Sequence, residues 1–236
     1  MYKNNKILCV IPARGGSKRL PGKNIKKIGG KPMIAHAILA AKKSKYVDRV
    51  VVSTDDSAIA KVAKKYKAEV PFMRPPKLAI DTAPTLPVLQ HAVRFYENKL
   101  KFKPDLIILI QPTNPLITTD DINKTIETLF ITKTNTCFTV TEISQRPEWM
   151  YHLDSKKPKL FIKKGGGLKK RSQDLPRLGI INGTVYAMKY NTLMKENKIY
   201  DDNTSIYIMP RERSVDIDDH FDFKTAEALM KYDKKK

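Results

Sequence analysis

Residues 14–24 read Arg-Gly-Gly-Ser-Lys-Arg-Leu-Pro-Gly-Lys-Asn, three glycines and four cations around one serine. They follow the apolar run 7–13, which has the length and β-branched content of a buried strand. Glycine lets the backbone turn tightly and bring its N–H groups to a ligand. Arginine and lysine add charge and donors suited to phosphate. The chemistry this predicts is polyphosphate binding, and hence a nucleotide. Two familiar phosphate loops do not fit. Five residues separate Gly16 from Gly22, and Lys23 is followed by Asn24 rather than Ser or Thr, so the loop is not of the Walker type. Nor does a Gly-x-Gly-x-x-Gly open directly into a helix. The plain alternative is a solvated loop after an edge strand.

A second cluster lies far along the chain, Ser-Val-Asp-Ile-Asp-Asp at 214–219. Asp216 and Asp218 alternate with Val215 and Ile217, so an extended backbone projects both carboxylates to one side. Two such groups repel unless a cation or a proton sits between them. Oxygen ligands beside substrate phosphates are the usual way to hold magnesium. Capping of the last helix by Asp218 or Asp219 is the plain alternative, and it leaves Asp216 available for a metal. Asp55 and Asp56 read as helix caps. His36, in an apolar helical stretch, reads as structural, and no histidine is an evident general base. Gln111, at the end of the apolar run 105–110, is placed for a ligand contact.

These residues need a scaffold, and the hydrophobic pattern predicts one. Apolar strands at 7–13, 49–54, 105–110 and 136–143 alternate with helical spacing after Pro32, after Asp55-Asp56-Ser57, over 84–98 and after Asp120-Asp121. A short extended piece covers 69–72, a loop covers 74–85, residues 184–187 are strand-like, and a final helix follows Asp219. The pattern is that of an α/β protein whose parallel sheet is covered on both faces. Ligands in such sheets bind beyond the carboxyl ends of the strands. Periodicity fails over 144–180, where Arg146-Pro147, Lys156-Lys157-Pro158 and Gly165-Gly166-Gly167 punctuate the chain. This reads as an inserted lobe within one domain spanning 1–236, with a fraying tail at 234–236.

Composition narrows the class. With 236 residues, 41% hydrophobic and 8% aromatic, the chain can build one sizeable core. No stretch is long and apolar enough for a membrane span, and the first residues lack the apolar core of a signal peptide. Cys9 and Cys137 both sit in apolar runs and read as buried thiols, not a disulfide or metal site. A cytoplasmic protein is expected. The net charge of +21 raises a nucleic-acid reading. The lysines are dispersed, however, and aromatics are not interleaved with them as a stacking platform requires. Such a surface still draws in polyanions.

Seven segments then occur in order: Ile-Pro-Ala-Arg-Gly-Gly-Ser-Lys at 11–18, Gly-Lys-Pro-Met-Ile at 30–34, Val-Ser-Thr-Asp-Asp at 52–56, Arg-Pro-Pro-Lys-Leu at 74–78, Gln-Pro-Thr-Asn-Pro-Leu at 111–116, Asn-Gly-Thr-Val-Tyr at 182–186 and Ser-Val-Asp-Ile-Asp at 214–218. Together they resemble the acylneuraminate cytidylyltransferase family, enzymes that make CMP-activated nine-carbon sialic-type sugars. The resemblance runs from Lys6 to Met230.

The resemblance implies a Rossmann-like nucleotidyltransferase fold, with a mostly parallel central sheet and a small inserted dimerisation lobe. It implies the reaction of CTP with a nonulosonate (N-acetylneuraminate, legionaminate or pseudaminate type) to give CMP-sugar and pyrophosphate, with Mg2+. Carried over by position, Arg14, Gly15, Ser17, Lys18, Lys23 and Asn24 match the phosphate and nucleotide loop. Arg74, Ala83 and Thr85 match positions around the cytidine, and Gln111, Tyr186 and Tyr200 fall where the sugar is contacted. Asp216 and Asp218 match the magnesium pair, and Arg14, Lys18, Lys23 and Asp216 are the expected catalytic groups. A homodimer is implied, with residues 144–178 reaching the neighbouring site. Asn114 and Ile117 depart from the family pattern, as do Ser172, with Arg171 one place earlier, and Ile180, which stands where an arginine is frequent. Arg171 or Arg177 could then take the sugar carboxylate. The rivals are an eight-carbon 3-deoxy-octulosonate substrate, or a non-catalytic nucleotide- or nucleic-acid-binding protein.

Overall fold

The computed structural model describes residues 2, 4–154, 156–162 and 171–233. In its first half the chain forms β1 (Ile7–Pro12), β2 (Lys27–Ile28), β3 (Lys31–Pro32), α1 (Met33–Lys43), β4 (Arg49–Ser53), α2 (Ser57–Lys65), α3 (Thr85–Leu100) and β5 (Leu106–Ile110). It continues through α4 (Thr119–Ile131), β6 (Thr136–Glu142), β7 (Tyr151–His152), β8 (Lys159–Leu160), β9 (Gly179–Lys189), α5 (Tyr190–Met194), β10 (Thr204–Ile208) and α6 (His220–Asp233).

Six strands form the central sheet in the order β10-β6-β9-β5-β1-β4. β1 pairs in parallel with both β4 and β5, and β10 in parallel with β6. β9 runs antiparallel between β5 and β6. The expected strand-like piece at 184–187 is thus the middle of a longer strand that enters the sheet from the opposite direction. The chain returns from the segment after β6 at the edge where β5 ends, because Ile110 faces Val185.

Period two sorts the core. Ile7, Cys9 and Ile11 pack with Ile34 and Ile38 of α1, Ile59 of α2, and Ile122 and Ile126 of α4. Leu8 and Val10 face the other way, onto Leu89, Val93 and Tyr96 of α3 and Leu193 of α5. Covering both faces is why β1 and β5 read as unbroken apolar runs. Cys9 and Cys137 are free and buried. Burial pushes both thiols up, that of Cys137 to about 11. Among the described residues no helix is long and apolar enough to cross a membrane.

A third cluster joins Leu20, Ile28 and Met33 to Ile217, Phe223 and Ala226. It packs α6 against the end of the glycine-rich loop. Between β6 and β9 the segment forms the antiparallel β7–β8 hairpin. The expected glycine run 165–167 and the tail 234–236 lie outside the described residues.

Candidate active site

Because β5, β1 and β4 are parallel neighbours, their carboxyl ends emerge on one edge. A cleft of about 220 Å³ opens there. The expected nucleotide residues Arg14, Ser17, Lys23, Asn24, Arg74, Ala83 and Thr85 all line it. Gly15 braces the loop from behind: its N–H donates to Asp55 Oδ1 at 3.1 Å. A Cβ at Gly15 would fall 2.7 Å from Asp56 Oδ2, so only glycine fits without displacement. Of the two expected caps, Asp56 alone takes the role, accepting from Ile59 N at 2.9 Å. Asp55 serves the loop.

Arg74 is 6% exposed and fixed by Ser53, to whose Oγ its Nε donates at 3.1 Å and to whose carbonyl it also donates. Burial draws its guanidinium down to about 10, with Arg14 acting in the same sense and Asp55 against. It stays charged at neutral pH. Asn24 is 5% exposed; its Nδ2 donates to the Arg14 carbonyl at 3.0 Å, while its Oδ1 has no partner among the described residues. That buried acceptor in the cleft wall is free for a ligand N–H or O–H. Sequence reasoning missed Asp81, the one acid in the loop 74–85. Its carboxylate pairs with Arg14 and with the exposed Lys18. Lys18 and Arg14 together hold its carboxyl down at about 2.

The distant acid pair arrives beside the same loop. Ile217 is fully buried beside Leu20, and its N–H donates to the Thr113 carbonyl at 2.9 Å. Lys23 Nζ donates to the Ile217 carbonyl at 2.8 Å and lies 3.3 Å from Asp218 Oδ1. Arg19 reaches Asp218 from the other side at 3.1 Å. Asp216 opens to solvent on one side but is crowded by protein on the others. That desolvation raises its carboxyl, as do Asp218 and Asp222, against Thr113 and Lys23, which lower it. Asp219 caps α6, accepting from Phe221 N at 2.8 Å. Arg213 anchors the segment one turn upstream through the fully buried Asp121, at 2.6 Å. Asn114, one of the departures noted in the sequence, is buried and donates to Thr184 Oγ1 and the Arg213 carbonyl, each at 2.7 Å.

A second cleft of about 350 Å³ is lined by Gln111, Gly183, Tyr186 and Asp216. Gln111 lines both clefts and so stands between them. Gly183 has φ +70, and a Cβ there would meet Gln111 Oε1 at 3.3 Å. Its position was visible only as part of an Asn-Gly pair. Tyr186 is half-buried, and burial, then Asp216 and Tyr200, raise its hydroxyl. Tyr200 is exposed and connects to Tyr186 through the Phe138 ring. Arg171 is not brought to these clefts; it is exposed and pairs with Asp174 at 2.9 Å. Arg177 likewise pairs with Glu142 at 3.0 Å. Ile117 is buried in the core. His36 bonds the Ile28 carbonyl at 3.0 Å, and burial lowers its pKa, as befits a structural residue.

An α/β sheet whose strand ends present a basic glycine loop, and which seats an acid pair beside it, has the architecture of a nucleotidyltransferase. A solved structure of CMP:2-keto-3-deoxy-manno-octonic acid synthetase complexed with CTP has this fold, with TM-score 0.72 at 20% identity over 97% of this chain and 99% of that one. The cytidylyltransferase family model matches residues 8–229, and the chain belongs to that family. It is 36% identical to CMP-N,N'-diacetyllegionaminic acid synthase of Legionella pneumophila, over 95% of this chain and 96% of that protein. It is 35% identical to post-translational flagellin modification protein B of Campylobacter coli, over 96% of each. Identity to the pseudaminic acid cytidylyltransferase of Campylobacter jejuni is 33%, over 96% of this chain and 97% of that protein.

Proposed function

We propose that this cytidylyltransferase joins CMP from CTP to the anomeric hydroxyl of a nonulosonic acid. The observation that carries the reading is Lys23, which ties the cationic loop to the acid pair at the border of one cleft. The names of the relatives support the sugar class. Arg14, Lys18 and Lys23 hold the outer phosphates and neutralise the charge that develops on them. Arg74, Ala83 and Thr85 contact the nucleoside, and Asn24 Oδ1 offers an acceptor in the same cleft. Gln111 and Tyr186 orient the sugar from the second cleft. The hydroxyl oxygen bonds to the α-phosphorus, the bond from that phosphorus to the bridging oxygen breaks, and pyrophosphate leaves. The hydroxyl proton passes to solvent. Positioning and charge stabilisation supply most of the acceleration in such transfers.

Asp216 and Asp218 fit a magnesium ion. They would supply hard oxygen donors on either side of a buried Ile217; Lys23 and Arg19 already pair with Asp218, so an arriving ion would share that carboxylate with them. Magnesium bound there supplies neutralisation of phosphate charge. The working unit is a homodimer in which residues 144–178 of one copy reach the site of the other. Exposed Met150, Tyr151, Leu153, Phe161 and Ile162 support it, as does Arg171 lying apart from its own clefts. A cytoplasmic setting supplies CTP and suits the free thiols.

Pyrophosphate release tests the reading, with each nucleoside triphosphate crossed against several nine-carbon acids and 3-deoxy-octulosonate. Release is expected only with CTP and a nine-carbon acid. No release with any nine-carbon acid would overturn the reading.

A further inference from the structure

An acidic sugar brings an anion into the second cleft. Among the described residues that line it, the one charged side chain is Asp216, itself an anion. A nonulosonic acid carries its carboxylate on the carbon that bears the reacting hydroxyl, so both groups enter together. A carboxylate taken out of water without a cation is costly. The two arginines expected for it are engaged elsewhere, Arg171 with Asp174 and Arg177 with Glu142.

Beside this cleft lies a hollow of about 510 Å³, and Thr141 and Ser214 line both. Arg211 lines the hollow. Its carbonyl accepts from Ser214 N at 3.1 Å, at the end of the 3-10 turn Arg211–Arg213. Side chains three apart eclipse in such a turn, so Arg211 stands on the side of Ser214. Arg213 points elsewhere, to the buried Asp121. Among the described residues Arg211 forms no ion pair, and Glu212 lines the hollow without pairing to it. Thr141 is close by: Met209 N donates to the Val140 carbonyl at 2.8 Å, and Arg211 follows two residues later. Thr141 is 8% exposed, and its Oγ1 has no partner among the described residues. A buried hydroxyl left unpaired is costly unless a ligand satisfies it. The Ser214 hydroxyl, by contrast, is committed, accepting from Asn182 Nδ2 at 2.9 Å and donating to the Pro210 carbonyl at 2.8 Å. An unengaged guanidinium and an unpaired hydroxyl at one wall match a carboxylate.

We propose that Arg211 and Thr141 hold the carboxylate of the sugar, the guanidinium paired with its two oxygens and the Thr141 hydroxyl donating to one of them. This rests on the cytidylyl-transfer reading above. Asp216 repels the incoming carboxylate and turns it toward the Thr141–Ser214 wall. The anomeric hydroxyl is then left on the side of Gln111, where the two clefts meet.

The test titrates the enzyme, loaded with an α,β-methylene analogue of CTP, with the nine-carbon acid that releases pyrophosphate fastest and with the carboxamide of that acid. The acid should bind about ten- to a hundred-fold more tightly than the amide. Arg211 is exposed, so its substitution leaves the core untouched. Arg211→Ala should shrink the preference for the acid by about ten-fold or more, with the KM for CTP unchanged, and Arg211→Lys should recover part of it. Thr141→Val should weaken binding of the acid by about ten-fold, and Thr141→Ser should restore it. An undiminished preference in Arg211→Ala, or one lost in Arg171→Ala instead, would overturn the subsite and leave the reaction standing. Absence of pyrophosphate with every nine-carbon acid would instead overturn the reaction.

Discussion

Lys23 Nζ lies 3.3 Å from Asp218 Oδ1, although 195 positions separate the two residues in the chain. The same ammonium donates to the Ile217 carbonyl, and its side chain is 12% exposed. A cation so enclosed, bordering the cleft that Arg14 and Arg74 also line, links the glycine-rich loop to the acid pair.

Lys23→Ala should therefore lower turnover by about two orders of magnitude or more, the scale of a lost transition-state contact. Asp218 is 45% exposed, so loss of the pair should change stability by about 1 kcal/mol or less. Steady-state pyrophosphate release and urea unfolding of the same variant separate the two effects.

Asp81 occupies Arg14 and Lys18 before any phosphate arrives. Asp81→Asn should accordingly lower the KM for CTP a few-fold at unchanged kcat. Because those cations hold the carboxyl at about 2, the group is charged throughout the neutral range, so the effect should not vary with pH there. Its contribution to the pair is fully present above the ordinary carboxylate pKa and fades only as pH falls toward 2. Initial rates at several CTP concentrations and pH values check it.

The residues that were legible in the sequence are those whose burial is local. The runs that became β1 and β5 are apolar at every position because helices cover both faces. The alternation around Ile217 is legible for the same reason: Ile217 is a buried anchor, with Asp216 and Asp218 as its neighbours in the chain. What stayed hidden depends on distant partners. The direction of β9 is set by where the chain re-enters the sheet, not by its own residues. β10 is an edge strand with exposed Ile206 and Ile208, so burial left no clean pattern. Asp81 meets Arg14 across 67 positions, and Asp55 reaches Gly15 while its neighbour Asp56 caps α2.

Arg213 and Asp121 hold the segment that carries the acid pair. Asp121 is fully buried, and it also accepts from Thr118 N at 2.9 Å in the capping box of α4. Arg213→Ala strands that carboxylate and should destabilise the fold by about 3 kcal/mol. A chemical unfolding midpoint within error of the parent would contradict this.

Gly183 sits at φ +70 with Gln111 Oε1 beside it. Gly183→Ala adds backbone strain of about 1–2 kcal/mol and a methyl that pushes on Gln111. On the proposed reading the KM for the acidic sugar should rise by about ten-fold or more, and by more than that for CTP, since Gly183 lines the second cleft alone while Gln111 lines both. Equal rises in both constants would count against that division.

The most direct measurement is a crystal structure with CTP and manganese, with anomalous data collected at the metal edge. The expected result is a manganese peak touching Asp216 and Asp218 and a phosphate oxygen, with the triphosphate lying along residues 14–24. Phosphates bound away from that loop, or a metal peak remote from both aspartates, would contradict it.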